Sequence, residues 1–314
     1  MKKIPVIVVL GPTASGKTAL AIELAKVYDG EIVSADSMQI YKGMDIATAK
    51  PTAAELSEVP HHLIGFVDPD ERFSVAEYVE KAKEVIFDIY LRDKMPILCG
   101  GTGLYINSLI DNIKFDDTSE DLELREKYLK IAEDKGKHYL WEKLKSVDER
   151  AANGIHENNV TRVIRALEVY ELSGKTISEA KDISRAEPSP FDPYFIGLNF
   201  SDRQMLYNRI NDRVDKMVEC GLIDEARQVY SNDSLMKTVH QAIGYKELIP
   251  YFEGESSLNT CLDKIKQETR RYAKRQLTWF RRDTRINWIN CDEFGDIKKI
   301  SEKIQKDIAK SCFL

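Results

Sequence analysis

The chain has 314 residues, 43% hydrophobic and 31% charged, with a formal net charge of −6. That length accommodates a main domain of about 200 residues plus a smaller one, and no apolar run approaches the roughly 20 residues that span a bilayer, which excludes a membrane protein. Five scattered cysteines (Cys99, Cys220, Cys261, Cys291 and Cys312) contain no C-x-x-C pair, so neither a disulfide framework nor a zinc site is expected.

The opening Met-Lys-Lys followed by apolar residues resembles a signal peptide only superficially. The apolar run is short and leads into a glycine loop rather than a cleavage site, so it is expected to be a buried first strand in a cytoplasmic protein. Ile4–Leu10 is continuously apolar and β-branched, as in a strand buried on both faces. Thr18–Tyr28 has helical spacing, Glu31–Ala35 reads as a strand, Val75–Arg92 as an amphipathic helix, Pro96–Cys99 as a strand and Leu104–Ile110 as a helix. Strands alternating with helices predict an α/β fold with a parallel sheet.

From about Thr118 the pattern becomes wholly helical, over Glu120–Lys145, Asp148–Ala152 and Asn158–Leu172. The expected organisation is an α/β core from residues 1–117 and 190–314, with a helical insertion at 118–189. After prolines 188, 190 and 193, Tyr194–Phe200 returns to strand character. Helices are then expected at Arg203–Cys220, Ile223–Tyr230, His240–Tyr251 and Leu258–Arg282, a last strand at Ile286–Ile289 and a closing helix at Phe294–Ala309. Between Lys264 and Arg285 stand nine basic residues and two acidic ones, an electrostatic footprint for nucleic acid on an acidic protein.

Residues Gly11, Pro12, Thr13, Ala14, Ser15, Gly16, Lys17 and Thr18 match G-x-x-x-x-G-K-[ST], after a strand and before a helix. Backbone N–H groups in such a loop curl around phosphate oxygens, and the helix N-terminus adds partial positive charge. Lys17 supplies a cation, and the Thr18 hydroxyl can ligate Mg²⁺. The core is therefore expected to be P-loop NTPase-like. The motif specifies a polyphosphate without specifying ATP.

Further segments follow in order: Asp36-Ser37-Met38-Gln39, Gly43 to Pro51, Gly100-Gly101-Thr102-Gly103, Arg162 to Glu168, Gly244-Tyr245-Lys246-Glu247, and Lys274-Arg275-Gln276-Leu277-Thr278-Trp279. Together they resemble the tRNA dimethylallyltransferases, also called tRNA isopentenyltransferases, over roughly Ile4 to Arg282. The resemblance implies transfer of a dimethylallyl group from dimethylallyl diphosphate to N6 of the adenosine 3′ of the anticodon (position 37) in tRNA, with Mg²⁺. Eukaryotic members carry a C₂H₂-type zinc module that these residues lack, so the resemblance is to the bacterial type. A monomer is expected.

The residues make chemical sense of that activity. An exocyclic adenine amine is a poor nucleophile and needs a base, and Asp36, at a strand end beside the phosphate loop, is placed for it. The other reading of Asp36 is an acid holding Mg²⁺ through water. Ser37, Met38 and Gln39 are expected at the flipped base or its neighbours. Arg213, with Arg209 one turn earlier, matches the family's diphosphate-binding arginine, against the alternative of a solvated helix face. Thr102 could reach the amine or a diphosphate oxygen, or cap a helix. For RNA contacts the candidates are Asp36, Thr102, Arg125, Arg162, Arg165, Lys274, Arg275, Gln276, Thr278, Trp279 and Arg281. Rival functions are prenyl transfer to free adenine nucleotide, as in adenylate isopentenyltransferases, and a P-loop kinase or RNA-binding NTPase.

Overall fold

The computed structural model describes residues 3–115, 121–184, 187–311 and 313; Thr118, Glu120 and Cys312 lie outside them. In chain order, β1 (Ile4–Leu10), α1 (Lys17–Val27), β2 (Gly30–Ser34), α2 (Ala53–Glu58), β3 (His61–His62), α3 (Val75–Leu91), β4 (Met95–Gly100) and α4 (Gly103–Ile110) come first. A helical stretch follows, made of α5 (Leu122–Lys135), α6 (Lys137–Val147), α7 (Glu149–Gly154), α8 (Val160–Ser173) and α9 (Ile177–Ser184). The chain then forms β5 (Phe191–Asn199), α10 (Arg203–Glu219), α11 (Leu222–Tyr230), α12 (Lys237–His240), α13 (Ile249–Phe252), α14 (Leu258–Phe280), β6 (Asn287–Asn290) and α15 (Ile297–Lys310). Two compact units result, Met1–Ile110 with Ser189–Leu314, and Asp111–Pro188.

In the first unit the strands form one parallel sheet in the order β3-β2-β4-β1-β5-β6. Successive side chains of a strand point to opposite faces, and β1 uses both. Val6, Val8 and Leu10 pack with α3 and α4 through Tyr78, Ile86, Ile106 and Leu109. Ile7 and Val9 pack with α1 and α15 through Leu20, Leu24, Ile300 and Ile304. Each such side chain, fully removed from water, contributes about 2 kcal/mol. The central strand therefore reads as an unbroken apolar run because neither of its faces meets solvent. In the second unit Tyr128, Leu140, Leu144, Val163, Ile164 and Leu167 form a separate core.

Several boundaries depart from the sequence reading. The single helix expected to run to Lys145 is broken into α5 and α6 at Gly136, whose φ of +90° does not continue a right-handed helix. The helix expected over His240–Tyr251 is interrupted at Gly244, at φ +105°, where the Glu247 carboxylate accepts the Gly244 N–H at 2.9 Å. Strand β5 begins at Phe191, ahead of the expected Tyr194. Its Pro193 pairs with Val6 of β1, whereas pairing with β6 starts only at Ile196, so the missing proline N–H costs no ladder bond to β6. Helix α2 and the two-residue β3 carry too little periodicity to be read from sequence. No helix among the described residues is long and apolar enough to cross a membrane.

Candidate active site

Ligand sites in parallel sheets form beyond the carboxyl ends of the strands. Here β1 ends in the Gly11–Thr18 loop, β2 ends two residues before Asp36, and β4 ends two residues before Thr102. These three ends, with α10 and α14, line a cavity of about 1020 Å³.

The phosphate loop is held from two directions. Gln276 of α14 is buried; its carbonyl oxygen accepts the Thr13 N–H at 2.9 Å, and its amide donates to the Gly101 carbonyl at 3.0 Å. Arg209 of α10 donates from Nε to the Ala14 carbonyl at 2.9 Å. Lys17 folds back and donates to the Pro12 carbonyl at 2.7 Å. Lys17 is half-buried in the cavity wall, and burial, with Arg213 nearby, pulls its pKa down to about 8 against the opposing pull of Cys99 and Asp36. Arg213 lines the same cavity and makes no hydrogen bond or ion pair among the described residues; burial lowers its pKa, while Asp36 and Glu55 oppose that. Cations brought out of water without carboxylate partners are costly, and a polyphosphate ligand supplies what they lack.

Asp36 is oriented by its own turn. One carboxylate oxygen accepts the Met38 N–H at 2.9 Å and the Gln39 N–H at 3.4 Å. The other oxygen makes no hydrogen bond among the described residues, and Asp36 lines the cavity. The Thr102 hydroxyl accepts the Ser37 N–H at 3.0 Å and lies 3.3 Å from the Ser37 hydroxyl. It thus ties the Asp36–Ser37 turn to the end of β4, and among the described residues it accepts no N–H of α4. The Tyr272 phenol of α14 joins this group: burial raises its pKa, Asp36 raises it further, and hydrogen bonds with Thr102 and Gln276 oppose the rise.

Three of the expected RNA contacts also make contacts within the protein, and Gln39 and Gln276 line the cavity. Gln276 bridges two loops as described. Trp279 packs so closely on Gly103 that no side chain fits there, with Nε1 3.5 Å from Asn107 Oδ1. Gln39 donates its amide to the Thr48 and Ala49 carbonyls at 3.2 and 3.1 Å, and its carbonyl oxygen lies 3.4 Å from the Ser34 hydroxyl. Met38 and Ser37 line the cavity. On α14, Lys274, Arg275 and Thr278 are exposed, as is Arg281 just past its end, and the Thr278 hydroxyl bonds back to the Lys274 carbonyl at 2.9 Å.

In the second unit Arg162 is exposed, whereas Arg125 and Arg165 are engaged by Glu168. Arg125 donates to both Glu168 oxygens at 2.9 Å, Arg165 donates at 2.6 Å, and the Asp121 N–H adds a bond at 2.9 Å. Burial pushes the fully enclosed Glu168 carboxyl up, and these hydrogen bonds more than reverse that, leaving it below the usual range.

Glu225 of α11 has no counterpart in the sequence reading. Its carboxylate accepts the N–H groups of Asp45 and Ile46 at 2.8 Å and of Ala47 at 2.9 Å, and the Tyr245 hydroxyl donates to it at 2.8 Å. One acid thereby shapes the loop that brings Ala47 to Thr52 to the cavity wall. An acid on an ordinary amphipathic helix carries no local signal for a contact 180 residues away.

The IPP transferase family model matches residues 39–283, and an isopentenyl transferase model matches residues 4–65. The chain belongs to the IPP transferase family. It is 50% identical over 311 residues to a tRNA dimethylallyltransferase of Thermoanaerobacter pseudethanolicus, covering 98% of each chain. Among solved structures it is similar to the tRNA isopentenylpyrophosphate transferase of Bacillus halodurans, at 43% identity and a TM-score of 0.72, over 99% of this chain and 96% of that one. A eukaryotic dimethylallyltransferase acting on tRNA superposes with a TM-score of 0.81 at 30% identity, over 98% of this chain and 80% of that one. The α/β fold with a P-loop-type parallel sheet agrees with these neighbours.

Proposed function

We propose that the chain transfers a dimethylallyl group from dimethylallyl diphosphate to N6 of the tRNA adenosine on the 3′ side of the anticodon. One observation carries this reading: a single cavity joins cations at a phosphate loop, without a carboxylate partner among the described residues, to a carboxylate with one oxygen unbonded among them. The diphosphate lies on the loop N–H groups, Lys17, Arg209 and Arg213, where charge builds as the allylic C1–O bond breaks. As the C1–N6 bond forms, the N6 proton passes to the free oxygen of Asp36 and the diphosphate leaves. Thr102 and Ser37 hold Asp36 toward the amine.

The residues fit a magnesium ion. The Thr18 hydroxyl lines the cavity without a hydrogen bond among the described residues, and Mg²⁺ commonly takes one or two protein oxygens together with substrate phosphates. When bound, the ion would neutralise charge on the departing diphosphate. No group of three or more His, Cys, Asp or Glu among the described residues forms an all-protein metal cage, in keeping with a shared site. The exposed α14 cations and Arg162 are candidates for the RNA backbone in a cytoplasmic setting.

Mass spectrometry of nucleosides from tRNA incubated with the protein, Mg²⁺ and dimethylallyl diphosphate tests the assignment. The expected product is N6-dimethylallyl adenosine beside the anticodon. Modification of free AMP or ADP with tRNA untouched would overturn it.

A further inference from the structure

Beside the main cavity lies a second pocket of about 700 Å³. Ile46, Ala49, Pro51, Leu56, Ile64 and Met217 give it largely apolar walls. The two adjoin, since Pro51, Thr52, Arg213, Lys216 and Met217 line both. Lys50 also stands at the junction, but its ammonium is engaged by the Tyr41 carbonyl at 2.5 Å and by Asp45 at 2.6 Å. Arg213 and Lys216 have no carboxylate partner among the described residues. Side by side, therefore, stand a phosphate loop, two cations without a carboxylate partner among the described residues, and an apolar space. Its inner wall is the loop pinned by Glu225, so the space is built into the fold.

That sequence of surfaces matches an amphiphile with an anionic head and a hydrocarbon chain. A polar ligand or a second nucleotide would find no hydrogen-bonding partners along Ile46, Leu56, Ile64 and Met217. A five-carbon chain on a diphosphate seated in the loop stays near Arg213, and the second pocket exceeds its needs. We propose that this pocket is a binding subsite for the hydrocarbon of allylic diphosphates longer than one isoprene unit, geranyl diphosphate being the shortest that reaches it. The proposal rests on the reading of the main cavity as an allylic diphosphate site. Each buried methylene is worth roughly fourfold in affinity, so even partial burial of a second isoprene unit gives about tenfold.

Isothermal titration calorimetry of the full chain with Mg²⁺, using dimethylallyl and geranyl diphosphate as separate probes, tests it. Geranyl diphosphate is expected to bind at least about tenfold tighter. Leu56→Trp and Ile64→Trp fill the pocket from walls that the main cavity does not share. They should cancel the geranyl advantage while changing dimethylallyl diphosphate affinity by less than about threefold. Leu56 is 41% exposed on α2, so its replacement leaves the core intact; should either variant misfold, Leu56→Ala is expected to weaken geranyl diphosphate alone. Equal affinity of the wild-type protein for both probes, or equal weakening of both by the filled pocket, would overturn the subsite and leave the main cavity's reading standing. Failure of the wild-type protein to bind either probe would overturn both.

Discussion

Glu168 in the helical unit and Asp36 at the end of β2 each stand among arginines, Arg125 and Arg165 in the first case and Arg209 and Arg213 in the second. Glu168 is fully buried and spends both oxygens on its two arginines and a backbone N–H. Asp36 turns one oxygen to its own turn, and among the described residues its other oxygen is unbonded and Arg213 shares its cavity without pairing. Identical side-chain chemistry thus closes a structural core in one unit and leaves opposite charges apart in the other. Removing one partner of a complete buried ion pair is strongly destabilising, because the other charge is left uncompensated. Charges kept apart stabilise nothing by themselves, and they remain available to a substrate that brings both a proton to donate and an anion to bind.

The contrast breaks most sharply at Asp36. Asp36→Asn keeps the turn but cannot take a proton, so single-turnover prenylation should slow by roughly 10²- to 10⁴-fold with tRNA affinity little changed. Recovery of the rate at high Mg²⁺ would move Asp36 to the metal. Glu168→Gln should act in the opposite register, on stability: it leaves two arginines without their charge partner and should cost about 3 kcal/mol in urea unfolding. Arg213→Met is its mirror image, expected to leave unfolding free energy unchanged or higher while lowering the prenylation rate by about 10²-fold. An unfolding loss for Arg213→Met as large as that for Glu168→Gln would erase the distinction.

A smaller effect concerns Lys17. Its folded pKa is about 8, below the ordinary lysine value, so the unfolded chain holds more protons above that pH. This group's contribution to stability therefore rises as pH climbs from about 8 toward the ordinary value, whereas donor binding needs the charged form. Dimethylallyl diphosphate affinity should then fall above pH 8 by up to about tenfold per pH unit, and calorimetry across that range should find the dependence missing in Lys17→Met. The smallest effect lies on α14, where replacing Lys274 and Arg275 together should flatten the log–log salt dependence of tRNA binding by roughly two units, equally for several tRNAs. An unchanged slope in filter binding would return both to an ordinary solvated helix face.

Features written in local pattern were legible from sequence. The Gly11–Thr18 loop follows from glycine spacing between a β-branched run and a helix, and Asp36 follows from the end of the next strand. The wholly helical stretch between two α/β segments follows from a change of period. Long-range partners were not legible, because a hydrogen bond between residues far apart leaves no mark on the periodicity of either segment. Gln276 stands in a basic, aromatic-rich helix and reads as an RNA contact, yet it bonds Thr13 from 263 residues away. Arg165 and Glu168 stand three apart on α8, but Arg125 reads as a free cation until the fold brings it to Glu168 from 43 residues away. Glu225 reads as a surface acid until the loop at Asp45 to Ala47 arrives with three N–H groups to satisfy. Composition and spacing decide which backbone conformations are cheap, and so determined the sheet, the loop and the helical insertion. Which charges meet and which stay apart depends on three-dimensional proximity, and only the tertiary structure decided that Glu168 is spent and Asp36 is free.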